Sequence, residues 1–259
     1  MTVRSVVGSP VAEIVLDRPE ARNALSREMC RAIVSALEEV RGSPKTRVVT
    51  IRGEGKVFCS GADFAAVSGA GGLEFLPAFE EMLEAVAGFP LPTVAAIQGG
   101  ALGGGLQLAT VCDFRIAADD VKLGIPAARI GIVVNLENAQ RLVRLTGVAR
   151  AKELLMAART FSGTEAAAAG LVTKAVPASD LEAASREFAN EIAALSPQSV
   201  QGAKKAIALV ERALSDVRTG APAEASAIDD LVRSAYESAD LQEGLAAMSE
   251  RRPPRWQGR

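Results

Sequence analysis

Two glycine-containing segments stand out as places where the backbone itself could do chemistry. The first, FCSGADF, runs from Phe58 to Phe64, and the second, IQGGALGGGLQLATVCDFRIA, runs from Ile97 to Ala117. Each follows a predicted strand, and in the second Gly103 to Gly105 lead straight into an apolar run with helical character. Glycines at a helix start let N–H groups approach a ligand closely, and the aligned peptide dipoles favour negative charge there. That makes an oxyanion site; a tight strand-to-helix turn with close packing is the competing reading of GGG by itself. Neither segment has the GxGxxG spacing or the terminal Lys-Ser/Thr of a nucleotide-binding loop.

The side-chain inventory narrows the chemistry further. The chain has no histidine, which removes the most frequent general base, the usual partner in a nucleophilic triad and the commonest zinc ligand. Cys30, Cys59 and Cys112 are spread singly through apolar surroundings without CxxC spacing, so they are expected to be reduced and structural, with no metal bound. Any reaction must therefore use carboxylates, backbone amides, hydroxyls or lysine.

The elements that must position these residues read as α/β. Apolar alternation marks strands at Ala12 to Leu16, around Val48 to Ile51, at Thr93 to Ile97, at Phe114 to Ala117 and at Leu171 to Val176. Helical spacing joins Met29, Ile33, Leu37 and Val40, and recurs over Leu73 to Val86. Beyond about residue 136 the pattern is mostly helical, with a capping-box match at Ser162 and Glu165 and a further stripe through Val200, Ala203, Ile207, Val210 and Leu214. The Thr219 to Ala223 stretch reads as a hinge. The expected organisation is a core over 1–195 followed by a helical C-terminal region over 196–259.

Composition sets the outer bounds. Of 259 residues 49% are hydrophobic and 23% charged, with a formal net charge of −2, so nothing points to nucleic acid. No apolar run approaches the ~18 residues of a membrane span, and the N-terminus lacks a signal-peptide layout, so a cytoplasmic protein is expected.

Taken together, LDRPEARNAL at Leu16 to Leu25, FCSGADF and the GGG segment resemble the crotonase (enoyl-CoA hydratase/isomerase) superfamily, in order and in spacing, and the likeness runs through to the C-terminus. The resemblance implies an α/β spiral of ββα units with a helical C-terminal trimerisation region, assembled as a trimer or dimer of trimers. It implies an acyl-CoA thioester as substrate or ligand, with no other cofactor. The backbone N–H groups of Ala62 and Gly104 match the oxyanion-hole positions, which polarise the thioester carbonyl. Arg22, Ser60, Gly61 and Ala62 match the CoA-binding positions, and Arg251 matches a cation able to reach the nucleotide of a neighbouring subunit.

The departure from the family pattern is equally specific. The two positions at which the family's hydratases carry glutamate hold Gln107 and Ala127 here. Glutamine cannot exchange a proton near neutral pH and alanine has no polar group, so efficient hydration is not expected. Three readings remain: a protein that binds or carries acyl-CoA; an isomerase or other enolate enzyme with a displaced acid or base such as Glu137, near Asn135 in the loop position used by some isomerases; and a scaffold without CoA. Glu137 could equally complement a helix N-terminus with Asn135 as its cap. Asp63 is expected to cap a turn, and Glu74, Glu80 and Glu81 to be solvated.

Overall fold

The computed structural model describes residues 2–63, 71–218 and 222–258. Its strands are Val3–Val6 (β1), Val11–Leu16 (β2), Val48–Gly53 (β3), Thr93–Ile97 (β4), Gly100–Leu102 (β5), Phe114–Ala118 (β6), Lys122–Gly124 (β7), Thr160–Phe161 (β8) and Lys174–Val176 (β9). The larger sheet has the order β1-β2-β3-β4-β6-β9, and all its pairings are parallel except β1 with β2. β4 is wholly buried and β3 nearly so, so the alternation expected for these two strands is not what the structure shows: as parallel strands covered on both faces they bury residues of both faces.

The smaller sheet, β5-β7-β8, forms because the chain steps sideways after each long strand. β4 leads into β5 and β6 into β7; after β3 the same step is made by Cys59, which bridges Ala101 in parallel. Each step then enters a helix: Gly71–Ala87 (α2), Gly104–Val111 (α3) and Leu136–Leu155 (α4). These are the expected ββα turns. Arg27–Arg41 (α1) precedes them, capped by Ser26, whose side chain accepts from Met29 N, and it buries Met29, Ile33, Leu37 and Val40 as their spacing predicts.

Gly163–Ala168 (α5) opens with the predicted capping box, Ser162 and Glu165 each satisfying the other's backbone N–H. The strand expected from Leu171 begins only at Lys174. The N–H groups of Leu171 and Val172 are both spent on Ala166 O, closing α5 beyond the left-handed Gly170, and so cannot join a ladder. Leu181–Ala193 (α6), Pro197–Arg218 (α7), Pro222–Glu237 (α8) and Ala239–Ser249 (α9) complete the helical half. Of the stretch expected as a hinge, residues 219–221 lie outside the described residues and Pro222 already begins α8.

α7 is tied to the core by Lys204, which donates to Leu91 O at 3.0 Å and pairs with Asp113 at 2.7 Å, yet it leaves Ile207, Leu209, Val210 and Leu214 exposed. The last two helices line the interior: α9 packs backbone to backbone, since a Cβ on Gly244 would lie 2.6 Å from Ile130 Cα. Among the described residues no helix is long and apolar enough to cross a membrane, and no cluster of His, Cys, Asp and Glu could hold a metal.

One buried side chain organises the entry to the site. Asn23, fully buried and left-handed (φ 54), accepts from Arg18 N at 2.9 Å and donates to Glu54 O at 3.0 Å and Val57 O at 2.9 Å. It thereby fixes the loop after β2 to the exit of β3. Asn23→Ala strands buried backbone groups, so we expect about 1–3 kcal/mol lost in denaturant unfolding. Asn23→Asp, which keeps the acceptor and loses both donors, should also destabilise.

Candidate active site

The glycine segments meet at the exits of β3 and β5. Phe58 N donates to Gln98 O at 2.9 Å, and Cys59 O accepts from Leu102 N at 3.0 Å, so the two turns are laced together by backbone. Gly61 has φ +105 and Gly103 φ +53, conformations open to glycine at little cost. A Cβ on Gly61 would lie 2.8 Å from Leu102 O and 3.5 Å from Gly104 N, and one on Gly105 would meet Cys59 O at 2.4 Å. Only glycines allow this approach.

The result sets Ala62, directly after Gly61, beside Gly104, the first residue of α3. An N–H at that helical position has no partner within its own helix and sits at the positive end of the dipole. Among the described residues neither Ala62 N nor Gly104 N donates to a backbone carbonyl in a turn or cap. Two such donors, aimed at one oxygen, are what an oxyanion requires.

Both residues line a cavity of about 540 Å³. Its walls are largely apolar, built from Phe75, Leu76 and Phe79 of α2, Ile125 to Val134 of the β7–α4 connection, and Val232 of α8. Phe75 and Phe79 stack at 5.3 Å, and the Phe79 ring lies against Gly104, where an added Cβ would be 3.1 Å from its Cε2.

Of the residues selected from sequence, the structure brings Arg22, Ser60, Gly61, Ala62 and Gly104 to this cavity, together with Gln107 and Ala127. Arg22 is exposed and left-handed (φ 52), and its carbonyl accepts from Ser60 N at 3.0 Å. Arg251 is exposed and outside the cavity lining; its neighbour Arg252 is clamped to Glu243 and Glu250. Glu137 also lies outside the lining. It occupies the first turn of α4, pairs with Arg141 at 2.8 Å, and follows Asn135, whose side chain caps the helix by accepting from Asn138 N at 3.1 Å.

Asp63 lines the cavity and pairs with Arg18 at 2.9 Å. Glu80 is exposed, as expected, like Glu74 and Glu81, but it also lines the cavity and accepts from Asn135 Nδ2 at 3.1 Å. Solvent still reaches it, but desolvation by the surrounding protein raises its pKa, helped by the charges of Glu137, Glu84 and Asp229 and opposed by the Asn135 hydrogen bond. Beside it Tyr236, buried on α8, has its phenol pushed up to about 12 by burial and by Glu80. The sequence does carry a signal for Glu80: it falls four residues after Leu76 and three before Leu83, on a stripe otherwise apolar.

The three cysteines are buried, and burial pushes their thiols up to about 12, so they remain protonated and are not nucleophiles.

Comparison with known proteins gives one consistent family. The profile described as enoyl-CoA hydratase/isomerase matches residues 7–259. An enoyl-CoA isomerase/hydratase of Mycosarcoma maydis is 37% identical over 96% of this chain and 93% of its own length. A probable enoyl-CoA hydratase of Mycobacterium tuberculosis is 37% identical over 95% of this chain and 94% of its own. Among solved structures, methylmalonyl-CoA decarboxylase in complex with 2-nitronate-propionyl-CoA superposes with a TM-score of 0.89 at 26% identity, covering 100% of this chain and 99% of that one. An enoyl-CoA hydratase from Bacillus anthracis gives 0.76 at 33% identity, covering 100% of each.

The glycine geometry can be tested directly. Gly103→Ala meets no close neighbour but must hold φ +53, so we expect about 1–3 kcal/mol of destabilisation by thermal or chemical unfolding. Gly202→Ala, in open space on α7, should be neutral or stabilising by up to about 1 kcal/mol.

Proposed function

The chain belongs to the enoyl-CoA hydratase/isomerase family, and we propose that it binds an acyl-CoA thioester with the thioester oxygen on the N–H groups of Ala62 and Gly104, without efficient enoyl-CoA hydration. The observation that carries this reading is the pair of backbone donors, held side by side on the wall of a largely apolar cavity. Hydrogen bonds there strengthen as negative charge develops on the oxygen, which favours the enolate over the ketone-like thioester. Arg22 and Ser60, at one part of the same lining, suit the phosphate-bearing end of CoA, and the apolar part suits an acyl chain.

Gln107 and Ala127 support the second half of the proposal. Both line the cavity, at the positions where the family resemblance puts the hydratase glutamates, and neither can transfer a proton. The function that remains is acyl-CoA binding or carrying in lipid metabolism, with the enolate chemistry of the hole available to any proton-transfer group the cavity supplies. The exposed apolar residues of α7 suit burial between copies in a trimer or dimer of trimers, in the cytoplasm.

Two measurements test this reading. Acyl-CoA should raise the melting temperature, a ligand present at a hundred times its Kd contributing about 2.7 kcal/mol to stability; no shift at millimolar acyl-CoA overturns the proposal. Crotonyl-CoA hydration should be near zero in the parent and measurable in Gln107→Glu/Ala127→Glu, with each single variant gaining much less because the two groups act on one water. Hydration by the parent with kcat/KM near ~10⁴–10⁸ M⁻¹s⁻¹ would contradict it.

A further inference from the structure

A thioester held on Ala62 and Gly104 needs one more group before its α-carbon can be deprotonated, and the cavity contains a restricted choice. Among the described residues lining it, the carboxylates are Asp63 and Glu80. Asp63 is committed to Arg18 at 2.9 Å. Glu80 follows Phe79, whose ring touches Gly104, so α2 is packed against the hole at the residue next to this carboxylate.

The geometry of Glu80 is fixed by a chain of amides. Asn135 donates to it at 3.1 Å, and the Asn135 Oδ1 accepts from Asn138 N at 3.1 Å and Asn138 Nδ2 at 2.7 Å. Buried Asn138 in turn accepts from Arg141 at 2.6 Å. The side chain that caps α4 thus also orients a carboxylate on the opposite wall.

From this juxtaposition we propose, resting on the acyl-CoA reading above, that Glu80 is the catalytic acid/base of a proton-shift reaction on 3-enoyl-CoA thioesters. Its carboxylate removes the α-proton. The C–H electron pair becomes the bond between the α-carbon and the carbonyl carbon, and the carbonyl pair moves to the oxygen held by Ala62 and Gly104. The resulting carboxylic acid returns the proton at the γ-carbon as the dienolate collapses to the 2-enoyl thioester. No water, oxidant or other co-reactant is consumed. One carboxylate suffices because the group that accepts the proton also gives it back.

The environment of Glu80 suits that exchange. The groups facing it are Glu84 from its own helix, Glu137 and Asn135 from the start of α4, and Asp229 and Tyr236 from α8; desolvation raises its pKa, the charges of Glu137, Glu84 and Asp229 add to the rise, and the Asn135 hydrogen bond opposes it. A base so raised is stronger than an ordinary glutamate and must be ionised to act, so activity should fall as pH drops, with a midpoint above that of an ordinary glutamate.

The test uses the full chain with trans-3-hexenoyl-CoA, followed as its conversion to the 2-enoyl thioester, and butyryl-CoA in D₂O, followed as α-deuterium incorporation by NMR. Glu80→Gln keeps an acceptor for Asn135 and loses titration; both rates should fall ~10²–10⁴-fold with acyl-CoA thermal shifts retained. Glu81→Gln, exposed on the same helix, should leave both unchanged. Full activity in Glu80→Gln overturns the proposal, as does loss in Glu137→Gln instead. A parent that binds acyl-CoA but neither isomerises nor exchanges it overturns the role of Glu80 and leaves the binding function standing, whereas a parent that does not bind removes both.

Discussion

The architecture of the site depends on one contact, the backbone of Gly61 against the backbone from Leu102 to Gly104. At 2.8 Å from a hypothetical Cβ to Leu102 O, there is no room for any side chain, and both turns use left-handed φ values. The rest of the fold serves to deliver these two turns to each other. β3 and β4 pair in parallel with Val49 opposite Thr93, so their C-terminal ends emerge side by side, and the bridge from Cys59 to Ala101 continues the register into the smaller sheet. Asn23 then ties the β2 exit to the same place, and Phe79 closes over Gly104 from α2. Because the donors are backbone N–H groups, no single side-chain replacement deletes them; the site is lost by spoiling a glycine, not by exchanging a functional group.

How much of this was legible in the sequence follows from which forces act locally. The long buried strands and α1 were readable because continuous apolar runs and 3.6-residue spacing report burial directly. The capping box at Ser162 and Glu165 was readable because both partners lie within one turn. The three-residue strands β5 and β7 and the two-residue β8 were not, since their pairing is set by the sideways step of the chain rather than by any pattern of their own. Leu171 to Thr173 misled because apolar residues closing a helix look like the start of a strand until their N–H groups are assigned to Ala166. In the site, the glycines and Arg22, Ser60 and Ala62 could be placed from motif and resemblance, whereas Asn138 and Tyr236 reach the cavity only through the packing of α4 and α8.

The contrast between Glu80 and Glu137 shows where linear reasoning ends. Both are helical glutamates near residues that line the cavity, and the sequence favours Glu137 through its neighbours. In the fold, Glu137 points into the field of its own helix N-terminus and pairs with Arg141, which is the outcome elementary electrostatics gives an acidic residue in a first turn. Glu80 lies mid-helix, away from the helix dipole's ends, and its side chain accepts from the neutral amide of Asn135. A carboxylate left in that condition keeps its basicity, which is what a residue handling protons requires and a structural ion pair does not.

A backbone hole and a side-chain base also make different demands on evolution of the same cavity. The hole stabilises any developing oxyanion, whatever the reaction that generates it, and it is secured by steric constraints shared across the whole spiral. Proton transfer, in the reading proposed above, depends on side chains that can change without disturbing those constraints; position 107 on α3 and position 127 in the short turn hold residues that cannot supply it, and Glu80 on α2 is a lining carboxylate that can. Hydration has to hold a water and move its proton, which is why the proposed loss of that activity rests on Ala127 and the neutral amide of Gln107. A proton shift within one substrate needs no water at all, so the largely apolar wall formed by Phe75, Phe79 and the Ile125 to Val134 segment is no obstacle to it.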